Sequence, residues 1–91
     1  MTIQQWFVKP GSWCQGAYAR GPSGREVETD SRVAVSYCLA GAAMRCYPQA
    51  ADRAKVRAHL CKILRGTITP WNDAPGRTIT EVRRLVKRAK V

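Results

Sequence analysis

The spacing of apolar and polar positions divides the chain into four helical stretches, and the most regular pattern lies at its end. At roughly 100° per residue, Ile79, Val82, Leu85, Val86 and Ala89 fill one arc of a helix, while Arg83, Arg84, Lys87, Arg88 and Lys90 fill the arc beside it. One face is built to dock and the other to carry charge. Thr78 with Glu81 three positions on has capping-box form and sets the helix start. Ahead of it runs a turn-rich loop, Trp71-Asn72-Asp73-Ala74-Pro75-Gly76-Arg77. Its last four residues suit a type II turn, since Pro presets the first central dihedral and Gly tolerates the positive one that follows.

The remaining pattern is less regular. Thr2 and Gln5 form another capping box, and Ile3, Trp6 and Phe7 share a face, which predicts a short helix over residues 3–8 that ends at Pro10-Gly11. The cluster Arg20-Gly21-Pro22-Ser23-Gly24-Arg25 reads as the loop of a small hairpin joining strands near residues 14–19 and 26–28. A cap at Thr29, Asp30 or Ser31 then opens a helix, apolar nearly all round, running to Pro48, with Gly41 inside it serving close packing. A third helix spans residues 49–65 with the stripe Val56, Leu60, Ile63 and Leu64, His59 half-buried at the stripe's edge and Gly66 as the left-handed residue past its end. Residues 67–77 read as loop. The expected architecture is a mainly α, single-domain fold over residues 1–91, with about four helices and room for one short β-hairpin between the first two (α+β).

Charge changes the picture more than size does. Sixteen Lys and Arg stand against six Asp and Glu, a net of +10. Residues 1–44 hold Lys9, Arg20, Arg25 and Arg32 against Glu26, Glu28 and Asp30; all the other cations fall in residues 45–91, against Asp52, Asp73 and Glu81. Such a balance favours an anionic partner, nucleic acid or an acidic protein surface ahead of anionic lipid, although solubility alone could also account for it. The longest apolar stretch, residues 33–44, is too short to span a bilayer, and the first six residues do not have signal-peptide form. No membrane association and a cytoplasmic location are expected, in the host cytoplasm if the chain is phage encoded. In a reducing compartment Cys14, Cys38, Cys46 and Cys61 are expected as free thiols acting mainly as small apolar side chains. No Cys-x-x-Cys or other zinc-ligand spacing occurs, and no Gly-rich phosphate loop, so neither metal nor cofactor is expected.

Three segments carry a resemblance. Trp13-Cys14-Gln15-Gly16-Ala17, Tyr37-Cys38-Leu39-Ala40-Gly41-Ala42 and Trp71-Asn72-Asp73-Ala74-Pro75-Gly76-Arg77-Thr78, followed by Glu81-Val82, stand in this order along nearly the whole chain. Together they resemble an uncharacterised domain-of-unknown-function family of small proteins from bacteria, plasmids and phages. At the N-terminus the chain departs from the family, whose members commonly carry a longer helix before Trp-Cys. The resemblance implies a shared fold and no activity. Its signature residues have a structural explanation, with Trp13, Trp71, Cys14 and Cys38 in the core, Asn72 and Asp73 holding the turn, and Thr78 and Glu81 capping. Alternatively Asn72, Asp73 and Arg77 form an exposed polar site on the loop.

Three functional classes follow. The first is a non-enzymatic nucleic-acid binder whose cations contact phosphates without reading bases; the contact set is Arg77, Arg83, Arg84, Lys87, Arg88 and Lys90, with Arg53 and Arg57 in support from the third helix. A loop over residues 67–77 is too long for the tight turn of a helix-turn-helix, and no aromatic ladder is interleaved with the cations. The second is a protein-binding modulator, a small phage or mobile-element product that engages an acidic or nucleic-acid-binding protein of a host or defence complex. The third is an enzyme, for which Asp73, Glu81 and His59 are the candidate acid or base groups, yet their spacing points to no acid-base pair and the cysteines lack an activating base. Binding is the expected role, nucleic acid leads, and no catalytic residue is assigned.

Overall fold

The structure, a computed structural model, describes residues 1–91. In chain order it contains α1 (Ile3–Trp6), β1 (Ala19–Arg20), β2 (Ser36–Tyr37), α2 (Leu39–Cys46), α3 (Ala50–Leu64), α4 (Ile68–Asn72) and α5 (Ile79–Ala89). It is a mainly helical fold with one two-stranded antiparallel sheet, Ala19 opposite Tyr37 and Arg20 opposite Ser36. Helix α2 lies at the centre. It packs against α1, α3 and α4 and follows directly from β2, while α5 closes the other side against α1 and α3.

Both capping boxes form as their spacing dictates. Thr2 and Gln5 exchange bonds at the start of α1, and Thr78 and Glu81 do so at the start of α5. Each satisfies two amides that have no intrahelical acceptor. The apolar arc of α5 is inside, with Val82, Leu85, Val86 and Ala89 buried. The type II turn also forms, with Gly76 at φ 81° and the Arg77 amide donating to the Ala74 carbonyl at 3.0 Å.

Four elements differ from the sequence reading. The helix expected from Thr29, Asp30 or Ser31 begins only at Leu39, because residues 33–37 are drawn into extended pairing: the Val35 amide donates to the Arg20 carbonyl at 2.8 Å, and the Tyr37 amide donates to the Ser12 carbonyl at 2.9 Å. Those long-range partners suit the β-branched Val33 and Val35 better than a helix does. The hairpin is correspondingly re-paired. Residues 26–27 do approach β1, the Val27 amide donating to the Ala19 carbonyl at 3.1 Å, but the strand hydrogen-bonded along β1 is β2. Residues 67–77 are not one loop, since residues 68–72 form α4. Pro70 is tolerated there because it falls in the first turn, where its missing N–H has no acceptor to lose. At the end of α3 the left-handed residue is Arg65, φ 56°, one position before Gly66, whose amide donates to the Cys61 carbonyl at 3.2 Å. His59 on this helix is exposed, outside the stripe, and Leu60 alone of the four stripe residues is fully buried.

Gly41 has the packing role expected of it. A Cβ there would sit 2.0 Å from the Tyr18 carbonyl oxygen, so α2 lies directly on the backbone leading into β1. The same carbonyl accepts from the Cys38 amide at 3.2 Å. Cys38 caps α2 through its sulfur, which accepts from the Gly41 amide at 3.3 Å. At the far end of the chain, Lys90 turns left-handed at φ 59° and the Val91 amide donates back to the Val86 carbonyl. The Val91 carbonyl then accepts from the Ile3 amide and the Tyr47 hydroxyl, each at 2.7 Å, which ties α5 to α1 and to the end of α2.

Candidate functional site

The eight cations marked out by the sequence occupy three kinds of position. Arg77 is built into the turn before α5: its guanidinium donates to Glu81 Oε2 at 2.7 Å and to the Trp71 carbonyl at 2.9 Å, and it lies 4.1 Å from the centre of the Trp71 ring. Arg83 reaches from α5 to the end of α1 and donates to the carbonyls of Phe7 at 2.7 Å and Val8 at 3.2 Å. Arg53 closes the corner between α2 and α3 through the carbonyls of Tyr47 and Pro48. These three guanidinium groups fasten elements together. Arg57 is half-buried and makes no hydrogen bond or ion pair.

Arg84, Lys87, Arg88 and Lys90 are different. All four are exposed and none has a partner within the chain. Arg84, Lys87 and Arg88 lie on α5, whose opposite face is fixed in the core, so their backbone is held even though their side chains are free; Lys90, placed by the sequence on the same arc, lies just past the helix as its left-handed cap. Helix α3, packed against α5, exposes Lys55, Lys62 and Arg65 as well. Against all sixteen cations the fold contains one ion pair, Arg77 with Glu81. Hydrogen bonds from Arg77 and from Thr78 hold the Glu81 carboxyl below the usual carboxylate range.

The signature segments converge elsewhere, on Asn72. Its side chain is fully buried and uses every bonding position it has: Oδ1 accepts from Trp13 Nε1 at 2.6 Å and from the Leu39 amide at 3.0 Å, while Nδ2 donates to the Cys14 carbonyl at 3.1 Å and to Asp73 Oδ1 at 2.8 Å. Around it, Gln15 Nε2 donates to the carbonyls of Asn72 and Ala74, and Asp73 Oδ1 accepts from the Gly16 amide at 3.1 Å. Asn72 therefore has a structural place, and Asp73 shares it. Gln15 stands in the first signature segment, but the sequence assigns it no role because its partners at residues 72–74 lie outside any local window.

The groups considered for acid-base work lie on separate parts of the fold. Asp73 is engaged with Gly16 and Asn72, Glu81 with Arg77 and Thr78, and His59 is exposed on α3. All four cysteines are free thiols, and burial pushes those of Cys14, Cys38 and Cys46 up, which keeps them protonated. No group of three or more His, Cys, Asp or Glu side chains is placed to hold a metal ion. No helix is long and apolar enough to cross a membrane.

Fold and site together define a small, basic, mainly helical protein built around a buried asparagine and presenting a cationic terminal helix. The chain belongs to DUF6197, a family of unknown function, whose model matches residues 7–90. That range takes in every residue of the Asn72 cluster and all of the cationic arc. No curated protein and no solved structure matches the chain.

Proposed function

We propose that this is a non-enzymatic, cytoplasmic binding protein, phage or mobile-element associated, that engages nucleic acid through the exposed cations of α5. The observation that carries this reading is the set Arg84, Lys87 and Arg88 on one packed helix, with Lys90 just past its end, all unpaired in a chain of net charge +10. Unpaired cations on a fixed backbone repel one another until an anion arrives, and a polyphosphate strand supplies several anions at once. Phosphate contacts of this kind give affinity and orientation with little sequence information. Arg77 and Arg83 support the surface by holding α5 to the preceding turn and to α1, Arg53 holds the corner between α2 and α3, and Arg57 is half-buried on α3.

Fluorescence anisotropy on duplex DNA and duplex RNA across a salt series tests the reading. Binding that weakens steeply between about 50 and about 200 mM salt supports it. No binding at low salt, or affinity indifferent to salt, overturns it. The competing reading is an acidic or nucleic-acid-binding protein partner for the same cations, as in a modulator of a host or defence complex. A pull-down from nuclease-treated lysate separates the two, because a stoichiometric protein partner that survives nuclease favours the second.

A further inference from the structure

Five large apolar side chains stand open to solvent, and three of them, Tyr18, Val33 and Val35, belong to the β1–β2 region, away from α3 and α5. Tyr18 and Val33, with Val27 and Met44, line an open groove of about 900 Å³. Glu26 and Glu28 also line it, exposed and with carboxylates that accept no hydrogen bond within the chain, and Arg25 is the one cation among the lining residues. Residues 26–31 hold three of the six carboxylates of the whole chain and no cation. A second hollow of about 200 Å³ shares Tyr18 and Glu26 with the groove and adds the half-buried carboxylate of Asp73.

We propose that this groove docks an extended cationic segment of a partner protein, with apolar side chains seated against Tyr18, Val27, Val33 and Met44 and Lys or Arg side chains against Glu26 and Glu28. Charge complementarity selects the occupant. On a protein of net charge +10, a partly apolar surface lined by two unpaired carboxylates and one arginine is where Lys or Arg side chains meet opposite charge at short range, within a Debye length. The residues come from chain segments separate from α5, so the fold presents a groove with two free carboxylates apart from its cationic helix. A nucleic-acid binder with a second binding face would act as an adaptor, held to its target by α5 and to a protein by the groove.

The test uses the full chain and a fluorescein-labelled octapeptide, Arg-Leu-Arg-Val-Lys-Leu-Arg-Gly, with a control peptide carrying Glu at each cationic position. Saturable binding of the basic peptide, amide NMR shifts confined to residues 16–35 and Met44, and no binding of the control are the expected results. Glu26→Lys combined with Glu28→Lys weakens binding at least tenfold, and so does Tyr18→Ser, while both variants keep the circular dichroism spectrum of the parent. Arg84→Glu with Arg88→Glu leaves peptide binding intact, so the groove and the α5 reading stand or fall separately. Shifts spread over α5, equal binding by the Glu26/Glu28 variant, or no saturation overturns the proposal. So does sedimentation showing a dimer that Val33→Asp disperses, because the groove then serves a second copy of this chain.

Discussion

The indole nitrogen of Trp13 donates to Oδ1 of Asn72 at 2.6 Å, joining two residues 59 positions apart. This bond and the Leu39 amide bond to the same oxygen fix the N-terminal segment, the start of α2 and the end of α4 to one side chain. Asn72 is therefore the place where three separate signature segments become one structure.

Replacing Asn72 with Ala leaves the Trp13 indole, the Leu39 amide and the Cys14 carbonyl without their partner in the interior. Each orphaned buried group costs about 1–3 kcal/mol, so the variant loses about 3 kcal/mol or more in urea denaturation. Asn72→Asp keeps the acceptor but turns both Nδ2 donations into oxygen facing oxygen, at the Cys14 carbonyl and at Asp73. It is expected to be at least as damaging at neutral pH. A loss below about 1 kcal/mol for Asn72→Ala contradicts the role given to the cluster.

Gly41 and Gly66 offer a matched pair of substitutions. Alanine at Gly41 puts a Cβ 2.0 Å from a backbone oxygen that cannot rotate away, so α2 must lift off the residues preceding β1. A cost of about 3 kcal/mol or failure to fold is expected. Alanine at Gly66 meets nothing within 4 Å and is expected to change stability by under about 1 kcal/mol. Thermal melts of the two variants side by side check the contrast, and equal melts rule it out.

What was legible in the sequence was what is local. The apolar arc of α5, both capping boxes and the Pro75-Gly76 turn are encoded within a few residues and form as read, while Lys90 falls just past the helix instead of on its charged arc. The stretch from Val33 to Tyr37 was misread because an apolar run fits a buried helix or a buried strand equally well. Its partners, Ser12 and Arg20, lie outside any local window. Helical periodicity likewise places Arg83 and Arg84 on the same polar arc, yet Arg83 is committed to α1 while Arg84 is free, since only the tertiary fold brings the Phe7 carbonyl within reach. The groove has no signal in the sequence, because its lining is split between residues 18–33 and Met44 and shows no period.

Glu81 gives the fold a dependence on acid. Its carboxyl sits below the usual range because Arg77 and Thr78 donate to its ionised form, so the folded chain binds that proton less readily than the unfolded chain does. This contribution is present at neutral pH. It declines as pH falls from the usual carboxylate value through the lowered one. Melting temperatures between about pH 6 and about pH 3 are expected to fall less steeply for Glu81→Gln than for the parent, with the variant the less stable of the two at pH 7. Parallel pH profiles show that the pair with Arg77 is too solvated to contribute.

The neighbours Arg83 and Arg84 separate holding the fold from holding a ligand. Arg83→Ala removes two bonds to the end of α1, each a charged donor to a carbonyl, and a loss of about 1–3 kcal/mol is expected in chemical denaturation. Arg84→Ala removes nothing within the chain and is expected to shift stability by less than about 0.5 kcal/mol. On duplex DNA the order reverses. Four free cations on and just past α5 give a slope of log affinity against log salt of about −3.6 if each neutralises one phosphate, and Arg84→Ala reduces that slope by about 0.9. Arg83→Ala is expected to leave the slope unchanged at temperatures where the variant is folded, since its guanidinium is already held by the Phe7 and Val8 carbonyls. If Arg83→Ala flattens the salt dependence as much as Arg84→Ala does, the division of α5 into fastening and binding cations is wrong.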